Sequence, residues 1–378
     1  MHHTDIPTRS DIVELATARE PGSVSIILAT STNPSDTSHI RLDLKNQVKV
    51  AVEQLTAAGA DRAAIAAFTQ TVDDLQEDPD FLRYLSSSLA LYISPSLTRY
   101  FRVPNILQSC TEVSDRFFIK PLMRALTFPQ SAYVLALAQS GVRLVAVSRD
   151  LPATSIELEG VPADVAAAAG VDSIRGRGSD GRSPQGRIQG SEGQKVRMQE
   201  YAQAINKALS PVLAGSKEPL ILAGAEPMTG IFRSVSSYKH LVKPEIEGNQ
   251  QERSDEQLAA AARPILDELY AAELHALCEE FGTRASNGRA VTDLGDVARA
   301  ATANAVDTLF VDIDSNLPGT VDETTGVVTL ADDADATNYG VIDEILRRAL
   351  LSDARILAVR ADDVPGGGAL AATVRFAV

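Results

Sequence analysis

Cysteine is scarce in this chain, and the motifs of several common enzyme classes are missing. The 378 residues include only two cysteines, Cys110 and Cys278, which lie far apart in the sequence. This excludes a disulfide framework and a multi-cysteine zinc site, and we expect a reducing compartment, the cytoplasm. The five histidines form no pair at metal-ligand spacing, and the nucleophile-elbow, zinc-protease and Walker A motifs do not occur. We therefore predict no metal and no cofactor.

Long apolar runs are also lacking. No stretch approaches the ~18 consecutive apolar residues that a membrane helix needs. The first twenty residues lack the basic and then apolar layout of a secretory signal, so we expect a soluble intracellular protein without membrane contact. Hydrophobic residues make up 44% and charged residues 22% of the chain, which is typical of globular proteins. At roughly 100–200 residues per domain, the length predicts two or three domains.

Basic residues are outnumbered, with 35 Lys and Arg against 50 Asp and Glu. The resulting net charge of −15 disfavours DNA and non-specific nucleic-acid binding, so RNA contact requires a local basic patch. One segment, residues 174–199, has this character, because it holds six basic residues against two acidic ones. The six basic residues are Arg175, Arg177, Arg182, Arg187, Lys195 and Arg197.

The basic segment is also rich in glycine. Residues 174–199 contain six of the 24 glycines and few apolar residues, so we expect residues 174–193 to be mobile without RNA. A solvated linker and a basic arm that orders on RNA both fit this composition. Residues 176–181 match the G-x-G-x-x-G pattern formally. No strand precedes them and no helix follows at once, so a dinucleotide site is not predicted.

Three regions of mixed helices and strands indicate three α/β domains, over residues 1–128, 129–284 and 285–378. In the first region the pattern predicts strands over residues 23–30, 88–94 and 99–103 and helices over residues 40–55 and 61–75. In the second it predicts an antiparallel meander of strands over residues 132–137, 142–147 and 155–158, a helix from about Gln194, a buried strand over 220–224 and a helix over 254–281 that Pro264 starts or kinks. In the third it predicts helices over residues 291–301 and 341–350 and strands over 308–311, 356–359 and 371–376.

Several of these segments, taken in order, resemble the bacterial archaeo-eukaryotic release factor family. The likeness extends over nearly the whole chain, although no single motif in it is decisive. The segments that resemble the family are residues 24–30, 40–48, 113–122, 133–139, 142–144, 306–312, 318–320 and 365–368. The resemblance implies a family-specific N-terminal α/β domain, a ribonuclease H-like middle domain and a small C-terminal α/β sandwich like those of ribosomal proteins that bind kinked RNA.

The resemblance also implies a site. Release factors of this lineage carry Gly-Gly-Gln on a middle-domain loop, which promotes attack of water on the peptidyl-tRNA ester. The counterpart here is the segment 190–195, in which Gly193 and Gln194 match the last two residues of the motif and Glu192 replaces the first glycine. The implied catalytic residues are therefore Gly193 and Gln194, and the six basic residues of the segment are the implied RNA contacts.

Two functions stay open at this stage. One is a ribosome-associated release or rescue factor that contacts tRNA or rRNA and promotes peptidyl-tRNA hydrolysis. The other is a non-catalytic ribosome- or protein-binding regulator that keeps the fold, which the replacement by Glu192 and the acidic net charge favour. A further group of acidic residues fits either a cation site or a solvated loop; it consists of Asp312, Asp314, Asp322 and Glu323.

Overall fold

The computed structural model describes most of the chain, namely residues 7–31, 33–78, 81–82, 85–127, 131–148, 152–168, 191–250 and 252–376. Helices and strands are mixed throughout this part, which confirms the predicted α/β class. By compactness the chain divides into two units. Unit 1 combines Met1–Pro129 with Glu273–Val378, and unit 2 is Gln130–Ala272. None of the described helices is both long and apolar enough to cross a membrane.

The N-terminal part of unit 1 is built on an antiparallel sheet with the strand order β3-β2-β1-β4. Its strands are β1 (Ser23–Ala29), β2 (Ser88–Ile93), β3 (Thr98–Val103) and β4 (Cys110–Ser114). Its helices are α1 (Arg9–Thr17), α2 (Thr37–Ala57), α3 (Arg62–Glu77) and α4 (Lys120–Thr127). The predicted strands and helices of this region are confirmed, whereas β4 and α4 were not predicted.

The turn between α2 and α3 follows from two residues. Gly59 has a φ of +82°, a left-handed conformation that glycine adopts without a steric penalty, and it ends α2 as the sequence predicts. Asp61 then caps α3, because its side chain accepts a hydrogen bond of 2.7 Å from the backbone amide of Ala64. Together they reverse the chain within a few residues.

The C-terminal part of unit 1 has a four-stranded sheet of order β10-β15-β11-β14 and a separate two-stranded sheet, β12-β13. Its strands are β10 (Ala290–Val291), β11 (Val306–Asp312), β12 (Gly319–Val321), β13 (Val328–Leu330), β14 (Arg355–Val359) and β15 (Leu370–Val374). Its helices are α9 (Leu294–Thr302) and α10 (Val341–Leu351). The small α/β sandwich expected here is present.

Both parts of unit 1 contribute to one hydrophobic core. It joins buried residues of α1, β2 and α4 to buried residues of α9, α10, β11 and β15. Helix α1 packs against α10, and α4 packs against β14. A second core lies between the β1–β4 sheet and helices α2 and α3, where Ile40, Leu44 and Leu55 form the predicted stripe. The N-terminal and C-terminal parts therefore stabilise each other.

Unit 2 has a five-stranded sheet of order β7-β6-β5-β8-β9. Strand β6 is antiparallel to both its neighbours, whereas β5, β8 and β9 run parallel, as expected for the ribonuclease H-like domain that the resemblance implies. Its strands are β5 (Ser131–Ala138), β6 (Gly141–Ser148), β7 (Thr154–Ile156), β8 (Leu220–Gly224) and β9 (Leu241–Glu247). Its helices are α5 (Val165–Ala168), α6 (Ser191–Val212), α7 (Met228–Val235) and the first part of α8 (Asp255–Ser286).

No described strand pairs across either of the two domain boundaries predicted from the sequence. The first boundary, after residue 128, lies next to the start of unit 2 at Gln130. The second, after residue 284, falls inside α8, because that helix continues past Pro264 and ends at Ser286. The first and third predicted regions belong to the same compact unit. A division into three domains stays a prediction.

Candidate functional site

The counterpart of the release-factor motif lies at the start of a helix. Helix α6 begins at Ser191, three residues before the predicted start, so Gly193 and Gln194 are in its first turn. Gly193 is buried, and Gln194 is exposed. Lys195 is also exposed, and Arg197 is half-buried. The helix predicted from about Gln194 is present, and it also includes Gly193, which the resemblance assigns to a loop.

Packing explains why the helix starts this early. The buried residues of α6 recur at three- and four-residue spacing, which is typical of a helix with one face on a core. They pack against β5, β6 and β8, so the first turn is continuous with an anchored stripe. Gln194 and Lys195 favour helix intrinsically and extend it toward its N-terminus. The stripe consists of Met198, Tyr201, Ala202, Ile205 and Leu209.

The two flanks of the basic segment lie side by side. Helix α5 ends at Ala168 and packs against α6, which begins at Ser191. Val165 of α5 belongs to the same core as Met198 and Tyr201 of α6. Of the predicted RNA contacts, Arg175, Arg177, Arg182 and Arg187 lie outside the described residues, as does most of the segment expected to be mobile. Lys195 and Arg197 share α6 with Gln194.

A buried hydroxyl lies in the helix below this first turn. Tyr201 is fully buried, and its hydroxyl has no hydrogen-bond partner among the described residues. Burial, and after it the nearby carboxylate of Asp164, raises the pKa of Tyr201 to about 12. The hydroxyl therefore stays protonated at neutral pH. This hydroxyl could not be singled out from the sequence, because a tyrosine in an apolar stripe is interpreted as a core residue.

The four acidic residues at and after the end of β11 do not form one site. The Oδ1 atom of Asp312 accepts a hydrogen bond from the backbone amide of Asp314, and the side chain of Asp322 accepts three hydrogen bonds from Thr324 and Thr325. The hydrogen bond from the Thr325 hydroxyl is the largest cause that lowers the pKa of Asp322. Within the described ranges, no three His, Cys, Asp or Glu side chains come together to hold a metal ion.

Unit 1 contains a second charged site, which the sequence did not indicate. Glu344 in the first turn of α10 is fully buried and accepts hydrogen bonds from three arginines, and a fourth arginine, Arg19, forms an ion pair with it at 3.6 Å. Arg347 binds it through two hydrogen bonds of 2.7 and 2.9 Å, and Arg348 through one of 2.7 Å. Arg116, from the N-terminal part of the unit, donates a hydrogen bond to Oε2 of the carboxylate, which also accepts from Arg347. We call Glu344, Arg116, Arg347 and Arg348 the ion network.

The arginines of the ion network have further partners. Arg116 also binds Asp115 and stacks on the ring of Tyr339 at 3.6 Å. Arg348 donates to the backbone carbonyls of Val321 and Asp322. Burial alone would raise the pKa of Glu344, but the hydrogen bond and charge of Arg347, together with Arg116, outweigh it and lower this pKa to about 2. The network therefore holds an ionised carboxylate inside unit 1.

Asp343, the neighbour of Glu344, has a different environment. Its Oδ1 atom accepts hydrogen bonds of 3.1 and 2.8 Å from the backbone amides of Ile119 and Lys120, at the start of α4. Burial raises the pKa of Asp343 to about 7, against the opposing effect of the Lys120 amide and ammonium group. Burial likewise lowers the pKa of Lys120. Adjacent carboxylates on one helix thus both connect the C-terminal part of unit 1 to its N-terminal part.

The two cysteines lack the properties of nucleophiles. Burial, followed by the charge of Glu112, raises the pKa of Cys110 to about 12. Burial also raises the pKa of Cys278, with a smaller contribution from Asp363. Since the thiolate is the reactive form, burial makes both thiols less reactive than an ordinary exposed cysteine.

The chain is similar to solved structures of translation factors at low sequence identity. A model of ribosome-bound archaeal Pelota and ABCE1 is 14% identical, with a TM-score of 0.42 over 99% of this chain and 96% of that one. The archaeal translation termination factor aRF1 is 16% identical, with a TM-score of 0.24 over 98% and 99%. Dom34 of S. cerevisiae is 11% identical, with a TM-score of 0.38 over 77% and 80%. A search of curated protein sequences finds no match.

A family model identifies the middle of the chain. Residues 129–272 match the model described as bacterial archaeo-eukaryotic release factor family 11. The matched residues coincide with unit 2, whose limits are Gln130 and Ala272. They include the five-stranded sheet and the helix that carries Gly193 and Gln194. The family resemblance of the sequence is therefore confirmed over residues 129–272, which match the model of the bacterial archaeo-eukaryotic release factor family.

Proposed function

We propose that this protein is a ribosome-associated factor of release or rescue type, in which unit 2 presents residues 174–199 to tRNA or rRNA. The observation that carries the proposal is the match of unit 2 to the release factor family. Lys195 is exposed at the start of α6, next in sequence to the arginines of the segment. The phosphate groups of RNA are the natural partners of such a basic, glycine-rich segment.

The contact we propose is electrostatic. No aromatic residue interrupts residues 174–199, so base stacking has no platform there. Each phosphate neutralised by an arginine or lysine contributes roughly 0.7–0.9 to the slope of log affinity against log salt. The binding partner is a folded RNA in the ribosome, because the acidic surface elsewhere repels free nucleic acid.

Co-sedimentation with ribosomal subunits tests this proposal. We expect the quadruple change of Arg175, Arg177, Arg182 and Arg187 to alanine to weaken the association and to flatten its salt dependence. The matched control replaces four exposed arginines elsewhere, Arg41, Arg62, Arg263 and Arg360, and so makes the same change in net charge. Equal loss in both variants would mean that only net charge matters, and an unchanged quadruple variant would show that the segment is a linker.

Peptidyl-tRNA hydrolysis is the finer part of the proposal. The reaction needs an amide near the attacking water and a backbone that reaches it, roles that we assign to Gln194 and Gly193. On programmed ribosomes, Gln194→Ala should abolish hydrolysis while co-sedimentation is retained, since one neutral amide adds little to phosphate attraction. If the wild type is inactive, Glu192→Gly is the variant expected to restore hydrolysis.

A second function is favoured by one specific observation. Gly193 is buried and lies within the first turn of α6, where the helical backbone restricts its conformations. Together with Glu192 in place of the first glycine, this placement favours a non-catalytic regulator that binds the ribosome or a protein through the same unit. Ribosome binding without hydrolysis in both the wild type and Glu192→Gly would support this second function over the first.

A further inference from the structure

The N-terminal part of unit 1 contains a cavity for which the proposed function has no use. It has a volume of about 540 Å³ and lies between α3, the α2–α3 turn and one end of the β1–β4 sheet. This volume is within the ~300–1,000 Å³ that is usual for binding pockets. Buried apolar side chains form its floor, and alanines form much of its wall. The floor residues are Leu55, Phe68, Ile93 and Val113, and the wall residues are Ala58, Ala60, Ala64 and Ala67.

The cavity exists because small residues occupy the inner face of α3. Ala64, Ala67 and Thr71 follow the capping residue Asp61 at spacings of three and four, so they lie on one side of the helix. Ala64 and Ala67 are exposed although they line the cavity above the buried ring of Phe68. Larger side chains at these two positions would fill the space. The remaining apolar surface is open to a partner.

Two carboxylates, those of Asp61 and Asp115, line the cavity, and no lysine or arginine is among the lining residues that the structure describes. Asp61 is exposed, and its Oδ1 atom already caps α3. Ala336 also lines the cavity and directly follows an exposed acidic run that contains Asp332, Asp333 and Asp335. The basic residues near the cavity either pair with a carboxylate or do not line it. Asp115, which also lines the cavity, is paired with Arg116 and Arg19, and Arg62, the one basic residue of α3, does not line it.

We propose that this cavity is the docking site for an amphipathic basic segment of a partner protein. Apolar side chains of the segment enter the cavity, and its lysines or arginines face the carboxylates of the rim. Acidic rim groups repel phosphate, so a nucleic acid or an anionic lipid does not fit this surface, whereas a cationic peptide does. Helices with one apolar face commonly bind in grooves of this kind. The proposal is independent of the function proposed for unit 2.

Two leucine substitutions on the same helix test the apolar part. The full chain is titrated into a fluorescent amphipathic peptide of leucine and lysine, and binding is followed by fluorescence anisotropy. Ala67→Leu fills the cavity, whereas Ala66→Leu places the same side chain on α3 outside it; both alanines are exposed, so the fold tolerates either change. We expect Ala67→Leu to weaken binding about tenfold and Ala66→Leu to leave it unchanged. Thermal unfolding of both variants checks that they are folded.

A second pair of measurements tests the charge part. Asp61→Asn keeps a good helix cap and removes one charge that lines the cavity, and the double change of Asp332 and Asp333 to asparagine removes two charges from the acidic run that precedes Ala336. We expect each variant to bind the leucine–lysine peptide more weakly, with the largest loss at low salt. A leucine–glutamine peptide should bind much more weakly to the wild type.

Three outcomes would overturn the proposal. Equal binding by the Ala66→Leu and Ala67→Leu variants would mean that an acidic protein attracts a basic peptide without using the cavity. Equal affinity for the leucine–glutamine peptide would mean that the cavity takes an uncharged apolar ligand instead. No binding of the leucine–lysine peptide to the wild type would show that this surface is not a site for basic segments.

Discussion

Helices α10 and α6 both have polar residues in their first turn next to a sheet, but these residues are buried in α10 and exposed in α6. The first turn of α10 buries Asp343 and Glu344, and both have partners. The first turn of α6 leaves Gln194 and Lys195 exposed. Buried charge is retained only when it is paired, so the charges of α10 serve the fold of unit 1. The exposed groups of α6 are free to meet another molecule.

The largest expected effect concerns the ion network. Glu344→Gln removes the charge that the arginines of the network share and leaves the buried guanidinium groups of Arg347 and Arg348 without a counter-charge. We expect the free energy of unfolding to fall by about 3–5 kcal/mol in urea denaturation, because breaking a buried pair costs this much. The control is Glu323→Gln, which removes an exposed carboxylate that contacts Arg19. A similar small loss in both variants would contradict the structural role of the network.

The second effect is a change in pH dependence. The folded-state pKa of Asp343, about 7, lies above its ordinary value of 3.8, so the folded protein holds this proton more tightly than the unfolded chain does. The stability that results is fully present below pH 3.8 and is lost as the pH rises through 7. Asp343→Asn should therefore flatten the fall in stability between pH 4 and 7, by about 3–4 kcal/mol.

Denaturation at several pH values measures this effect. The matched control is Asp353→Asn, because Asp353 is an exposed carboxylate whose side chain is 91% accessible. Its variant should keep the pH profile of the wild type. Glu344 acts in a lower window, because its depressed pKa gives stability above pH 4.5 that is lost as the pH falls toward 2. An unchanged profile for Asp343→Asn between pH 4 and 7 would show that this carboxyl does not titrate there.

A smaller effect compares two tyrosines of unit 2. The hydroxyl of Tyr201 lacks a described partner, whereas the hydroxyl of Tyr238 donates a hydrogen bond of 2.7 Å to the backbone carbonyl of Glu218. We expect Tyr201→Phe to leave the stability unchanged or to raise it, and Tyr238→Phe to lower it by about 1 kcal/mol. Thermal or urea unfolding distinguishes the two. A loss for Tyr201→Phe would indicate that its hydroxyl is satisfied by a group outside the described residues.

The smallest effect is a change in salt dependence. Lys195→Ala should reduce the salt slope of ribosome association by roughly 0.7–0.9, which is about threefold in affinity over a fourfold range of salt. Lys207→Ala, at an exposed position toward the other end of α6, makes the same charge change and should leave the slope as it is. If the two variants behave alike, the start of α6 does not contact phosphate.

The sequence predicted the apolar elements best. Strands β1, β2, β5 and β8 have continuous apolar runs, and α2 has a regular stripe, so their periodicity was sufficient. Strand β4 was missed because Thr111 and Glu112 interrupt its apolar residues, and β9 was missed because it contains Pro244. Strand β4 is fixed by antiparallel pairing with β1, which is distant in the sequence, and β9 by parallel pairing with β8 on the other side of α7. The hydrophobic pattern of a single segment does not show which strand it will pair with.

The charged site of unit 1 could not be predicted for a related reason. Val341, Ile345 and Leu346 mark one apolar face of α10, which leaves Glu344 and Arg348 on a face that ordinarily meets solvent. That face is buried because α1 and residues near Arg116 cover it. Helix α1 and Arg116 precede α10 by more than 200 positions. In unit 2 the sequence predicted a helix from about Gln194, and packing extends this helix back to Ser191, so that it includes Gly193.

The division of unit 1 into two stretches of chain has a consequence for synthesis on the ribosome. Its N-terminal stretch ends at Pro129, and the partner stretch begins only at Glu273. At roughly 5–20 residues per second, the core that they share stays incomplete for some ten to fifty seconds while the remainder of the chain is made. Unit 2 is a continuous stretch and can fold during this interval. In the nascent N-terminal stretch, Ile12, Leu15 and Phe117 therefore lack their packing partners until residues of the C-terminal stretch are made.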